Sequence, residues 1–141
     1  MSDFNIFDIA GSGMQAQNVR MNLIASNMAN ADSVAGSREE AYKAQKPVFK
    51  AVMDNAMSHD PLKQAANKVS VSKIIESKQA VLSEYSPNHP LSDANGYIYR
   101  SNVNPVEEMA DMISASRSFQ NNIEVINSTK KMMTAVINLG K

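Results

Sequence analysis

No cysteine occurs in the 141 residues of this chain. Disulfides, thiolate catalysis and cysteine-based metal centres are thereby excluded, while the compartment stays open. A thiol-free chain suits a protein exported unfolded, because no stray disulfide can form outside. No apolar run approaches the ~18–20 residues that a membrane-spanning helix needs. The basic start of a cleavable secretory signal is missing too: Met1 to Asn18 holds no Lys or Arg and carries Asp3 and Asp8. Any export is therefore expected to use a route that reads no such signal. Net charge is zero, with 14 basic residues against 14 acidic ones, and aromatics make up only 6%. The lack of a basic patch interleaved with aromatics argues against nucleic acid as a partner.

Chemistry-bearing constellations are equally sparse. His59 and His89 are the only histidines, both beside turn formers, and no ligand spacing such as HExxH surrounds them. Ser86, His89 and Asp93 share a turn-rich stretch that does not build a catalytic triad. Glu107, Glu108 and Asp111 fall at a predicted helix start, where the helix dipole accounts for acidic residues without acid–base catalysis. Gly11-Ser12-Gly13 lacks the preceding strand and the lysine of a phosphate loop. The stretch Asp93 to Gly96 lacks the remaining ligands of a calcium loop. The expectation is a protein with no enzymatic activity, no catalytic or metal site, no cofactor and no small-molecule substrate.

What the chain does have is apolar heptad patterning at both ends. Phe7, Met14, Met21 and Met28 recur every seven residues, with Ala10, Gln17 and Ile24 at an offset of three. Near the other end Met109, Ser116, Ile123, Lys130 and Ile137 form one row, and Met112, Phe119, Ile126 and Met133 a second. A seven-residue repeat keeps an apolar seam on one side of a helix and rewards a partner helix. The candidate assembly residues are therefore Phe7, Met14, Met21, Ile24, Met28, Met109, Met112, Phe119, Ile123, Ile126, Met133 and Ile137. A methionine row at this spacing is usually plain core. Ten methionines in one chain also suit a surface that adapts to slightly different neighbours.

The rest of the chain falls between these ends. A helix is expected from Phe4 to Asn30, weakened at Gly11 and Gly13 and stopped by Asn30 in a left-handed conformation. Asp32 to Glu40 is polar, contains Gly36 and Ser37 and reads as loop, and Tyr42 to Met53 as a strand with Pro47 at its entry. In that strand Val48, Lys50 and Val52 share one face, and Phe49, Ala51 and Met53 the other. Asp54 to Lys68 shows no clear regular structure. Val69 to Ile75 alternates as a half-buried strand, Ala80 to Tyr85 offers a short one, and Tyr97 to Tyr99 another after the Asn95-Gly96 turn. Asn104 as N-cap, Pro105 at the first helical position and Glu107 at the third start a long second helix that runs to about Leu139. The expected fold is mainly α with a small β part. Long terminal helices (1–32 and 104–141) pack as an antiparallel coiled coil around a central β-hairpin-rich segment (33–103).

One resemblance sharpens this reading. Phe7-Asp8-Ile9-Ala10-Gly11-Ser12-Gly13-Met14, with Ile24-Ala25-Ser26-Asn27-Met28-Ala29-Asn30-Ala31-Asp32, resembles the N-terminal motif of the flagellar axial proteins: the rod, hook and hook-associated subunits. Tyr42 to Val52 resembles the strand that follows it there. His89-Pro90, Asp93, Gly96-Tyr97, Asn102-Val103-Asn104 and Val106 to Met109 narrow the resemblance to the basal-body rod proteins, among them the proximal-rod subunits. The tail from Ser114 to Leu139 fits the same family. Ser33 to Ala41 and Asp54 to Lys68 match poorly, and Pro47 and Asn104-Pro105 are local departures. The resemblance implies export by the flagellar type III apparatus without signal cleavage and assembly in the periplasm. It also implies a torque-transmitting rod whose inner tube is made by the terminal helices, with the β segment outside. Implied partners are other copies of this chain, other flagellar rod proteins, rotor-ring and rod adaptor proteins, and the export apparatus. The alternatives are another axial subunit, or a cytoplasmic helical adaptor or chaperone that binds a client without polymerising.

Overall fold

The computed structural model describes residues 3–53 and 67–139. Its longest element begins where the sequence places it. Asn104 Oδ1 accepts the Val106 N–H at 3.1 Å, Pro105 occupies the first turn, and helix α2 runs Pro105–Leu139. Asn104 thus satisfies a donor that the helix itself leaves open, and Pro105 has no N–H to lose. Glu107 pairs across the fold with Lys46 at 3.6 Å rather than folding back onto the cap. Helix α1 spans Asp3–Ala29. It does not end on the expected left-handed asparagine, since no non-glycine residue among those described has positive φ. Asn30 instead turns its Nδ2 back onto the Ser26 carbonyl at 2.8 Å, the same carbonyl that accepts its backbone N–H at 3.2 Å.

The β part comprises β1 (Val34–Ala35), β2 (Gln45–Met53), β3 (Asn67–Glu76), β4 (Leu82–Tyr85) and β5 (Tyr97–Arg100). β2 and β3 form an antiparallel pair, and β1, β5 and β4 form a small antiparallel sheet in that order. The register of the first pair slips between Val48 and Phe49: Val48 lies opposite Lys73 and Phe49 opposite Val71. Ser72 is the extra residue of this bulge. The alternation of faces is therefore interrupted along β3, while β2 continues without an extra residue, and beyond the bulge Phe49 to Val52 are all exposed. Expected loop residues Val34 and Ala35 pair with Arg100 and Tyr99 as an edge strand. The irregular reading of Asp54 to Lys68 falls outside the described residues up to 66, as does His59, while Asn67 and Lys68 belong to β3.

The β4–β5 hairpin is closed by a turn with two local devices. Gly96 sits at φ 81°, in the left-handed region, and an added Cβ would lie 3.0 Å from the Tyr85 ring and 3.1 Å from Pro87. Asp93 Oδ1 accepts the backbone N–H groups of Tyr97 and Asn95, both at 2.8 Å, and Oδ2 accepts the Tyr99 hydroxyl at 3.1 Å. The Tyr97 N–H, followed by those of Asn95 and the Tyr99 hydroxyl, holds the Asp93 carboxyl below its ordinary 3.8. His89, singled out above, serves this same corner: its Nδ1 accepts the Leu91 N–H at 3.1 Å.

Among the described residues the buried apolar set is small: Ala10, Ala16, Leu23, Ile24, Ala41, Ala44, Ile98, Val103 and Ala115. Five of these nine are alanine, so elements approach closely but each contact buries little area. Gly96→Ala is expected to lower stability by about 1–3 kcal/mol, from left-handed strain plus the clash, as a shift in urea midpoint at unchanged slope. Because the folded pKa of Asp93 lies below the unfolded one, its stabilisation is present above about pH 4 and lost as pH falls through the folded value. Amide shifts of Asn95 and Tyr97 followed by NMR should titrate together with a midpoint below 3.8, and Asp93→Asn should abolish that transition.

Candidate assembly interface

Three side-chain contacts set how the two helices meet. Asn27 Nδ2 donates to Glu108 Oε1 at 3.2 Å. Arg20 Nη2 pairs with Asp111 Oδ1 at 2.7 Å. A Cβ built on Gly13 would lie 3.0 Å from Asn122 Nδ2. Numbers rise along one helix as they fall along the other, so the pair is antiparallel. Extending this register levels Arg20 with Ala115, which is fully buried, and Ile6 with Thr129, which is 4% exposed. The seam on α2 thus follows Glu108, Ala115, Asn122 and Thr129, alternating with Met112, Phe119, Ile126 and Met133. On α1 it follows Ile6, Gly13, Arg20 and Asn27, alternating with Ala10, Gln17 and Ile24. One of these two α2 rows is the predicted one. The other is polar or small, not apolar, and apolar patterning could not reveal it.

Asn27 is the centre of the arrangement. It is 1% exposed, and both amide hydrogens and both carbonyl lone pairs are used. Nδ2 donates to the Gln45 carbonyl at 2.9 Å as well as to Glu108. Oδ1 accepts the Gln45 N–H at 2.9 Å and the Tyr42 hydroxyl at 3.0 Å. One side chain therefore ties α1 to the start of β2 and to α2. Glu108, at 5% exposure, is no solvated dipole charge but a buried acceptor of this node. Glu107 and Asp111 likewise each have a basic partner.

The predicted residues sort by helical geometry. A step of one residue turns a helix by 100°, and in an antiparallel pair equal steps from the seam emerge on the same side. The residues just before the seam face the β part: Ser12 Oγ accepts the Val69 N–H at 3.1 Å, Ser26 meets Tyr42, and Glu107 meets Lys46. The residues just after the seam emerge on the opposite side. On α1 these are Phe7, Met14, Met21 and Met28; on α2 they are Met109, Ser116, Ile123 and Lys130. Phe7, Met14 and Met21 are half-buried there, while Met28, Met109 and Ile123 are exposed at 36%, 47% and 39%. Ile24 is buried in the seam, and Met112, Phe119, Ile126 and Met133 are half-buried on the α2 face that meets α1. Ile137 is 65% exposed beyond the part of α2 that α1 flanks, with Val136 and Leu139 at 69% and 87%.

The two first-read heptad rows therefore make one strip, shared by both helices, on the side away from the β2–β3 hairpin. It holds no convergent polar chemistry. Among the described residues no group of three histidine, aspartate or glutamate side chains is placed to hold a metal ion, and no helix is long and apolar enough to cross a membrane. Asn27→Ala should cost about 2–5 kcal/mol, because the Gln45 backbone and Glu108 lose partners while staying buried. Chemical denaturation checks this, and Asn27→Asp should be at least as damaging, with two carboxylates facing each other.

Comparison with known proteins matches the sequence to a family. A family model described as flagella basal body rod protein matches residues 7–36, and one described as flagellar basal body rod FlgEFG protein C-terminal matches residues 94–139. These two segments contain most of the seam and the strip beside it. Over the whole of both chains, the sequence is 47% identical to the flagellar basal-body rod protein FlgC of Salmonella typhimurium and 45% identical to that of Escherichia coli O6:H1. It is 30% identical to that of Bacillus subtilis, again over the full length of both. The chain belongs to the FlgC family of flagellar basal-body rod proteins.

Proposed function

We propose that this chain is a structural subunit of the proximal rod of the flagellar basal body and that it polymerises through the strip shared by α1 and α2. The observation that carries this is the apolar strip itself. A chain with so small a core leaves Met28, Met109, Ile123 and the apolar end of α2 uncovered. Covering each such side chain contributes about 1.5–3 kcal/mol before ordering costs, so neighbours supply stabilisation that the lone subunit lacks. The seven-residue alternation along the seam supports an antiparallel coiled coil as the helical domain (1–32 with 104–141), with 33–103 as the outer β-rich segment. Phe7, Met14, Met21, Met28, Met109, Ile123 and Ile137 meet neighbouring subunits. Ile24, Met112, Phe119, Ile126 and Met133 hold the helix pair in the shape those neighbours need.

Membership of this family supports other rod proteins as partners, and the proposal adds rotor-ring adaptors and the flagellar type III export apparatus. The absence of thiols fits export in an unfolded form followed by assembly in the periplasm. The rod reading requires the chain in purified hook–basal bodies at stoichiometric level after a high-salt wash. Abundance in the cytosol with absence from those particles would favour the adaptor reading instead.

Two substitutions separate the strip from the seam. Met21→Asp should leave the purified subunit's helicity and unfolding midpoint nearly unchanged while abolishing rod assembly and swimming. Phe119→Asp places a charge against α1 and should destabilise the subunit itself by about 3 kcal/mol or more. Normal swimming with Met21→Asp would remove the strip from the assembly surface.

A further inference from the structure

The strip has a chemical vulnerability beyond its apolar character. With no cysteine in the chain, methionine thioethers are its readily oxidised sulfur groups. Most methionines on the helices are half-buried, but Met28, Met109 and Met132 are exposed at 36%, 47% and 60%. Met28 and Met109 each follow a partner of the Asn27–Glu108 hydrogen bond. They therefore lie level with each other, side by side on the strip. Met132 lies three residues past the seam residue Thr129 and so faces the opposite side of α2. The structure thus separates a sulfur pair inside the strip from a single exposed sulfur outside it.

We propose that Met28 and Met109 form an oxidant-sensitive modification site that controls whether the free subunit can be incorporated. This rests on the reading of the strip as an assembly surface. The reactant is a two-electron oxidant of the hypochlorous acid class. One oxygen atom passes from HOCl to the thioether sulfur, forming an S–O bond and breaking the O–Cl bond. Sulfur loses two electrons, chlorine is reduced to chloride, and the hydroxyl proton is released. The product sulfoxide is polar and must be desolvated when a neighbour covers the strip, so incorporation is penalised without damage to the buried node. A methionine sulfoxide reductase reverses the change. Once a neighbour covers the strip, both sulfurs are shielded, so the site responds only before assembly.

The test begins with the full chain and limiting HOCl. Peptide mass spectrometry should find sulfoxide at Met28, Met109 and Met132 ahead of Met112 and Met133. Earlier oxidation of Met112 and Met133 would overturn the assignment. Cells lacking the sulfoxide reductases are then given an HOCl pulse while new flagella grow, and the chain is quantified in basal bodies. Wild-type incorporation should fall by roughly tenfold. The chain carrying Met28→Leu and Met109→Leu should resist the pulse, while Met132→Leu should be as sensitive as wild type. Equal sensitivity of the double variant and wild type would overturn the proposal, as would resistance conferred by Met132→Leu alone. Each variant's incorporation is read relative to its own level without oxidant, so that any effect of the leucines on assembly itself cancels; without oxidant Met21→Asp should not assemble. Assembly by Met21→Asp would show instead that the strip reading had failed.

Discussion

One buried asparagine amide decides the arrangement of this fold. Asn27 uses all four of its hydrogen-bonding positions, and its partners come from the entry to β2 and from α2. No other side chain described joins three elements in this way. A hydrogen bond in a dry site is directional, so the node fixes register and rotation together, whereas apolar contact alone would tolerate sliding. The Arg20–Asp111 pair, more exposed at 26% and 39%, adds a second fixed point, about two turns away along α1 and about one along α2. Between them the alanines allow close approach and contribute little specificity of their own.

The helix pair is divided lengthwise into three tasks by single-residue steps. Residues just before the seam meet the β part, seam residues meet the partner helix, and residues just after it emerge on the far side of the pair. In the proposed rod, the same heptad frame would serve internal pairing and external contact at once. Of the two α2 rows inside the pair one is small or polar, and a further apolar row lies outside it, so the isolated pair buries less apolar area than its sequence offers. This is the arrangement expected of a subunit whose final stability is collective.

Much of the fold was legible because it rests on local chemistry. Asn104-Pro105 announces the start of α2, and Asn95-Gly96 announces the β4–β5 turn. Both terminal helices follow from periodicity. The phase of the seam was not legible: a repeat of seven reveals that faces exist, not which one is already occupied. Apolar ranking drew the eye to Met109 and Ile123, while Glu108, Asn122 and Thr129 face α1. Asn27 was hidden for a related reason. It lies among Ser26, Asn30 and other polar residues, and nothing in an asparagine's identity reports that its amide is saturated and dry. Ser72 and the bulge were invisible because register slips depend on the partner strand.

The β2–β3 hairpin packs along α1 from the Gln45 end, beside Asn27, to the Lys68 end, where Lys68 reaches Asp8 at 3.3 Å. Its link to α2 is the exposed Lys46–Glu107 pair. A force applied to the hairpin therefore loads α1 first and reaches α2 as shear across the Asn27 and Arg20 rungs. Such a joint behaves as a key in a keyway rather than as an adhesive layer. Its stiffness comes from a few short, angle-sensitive bonds.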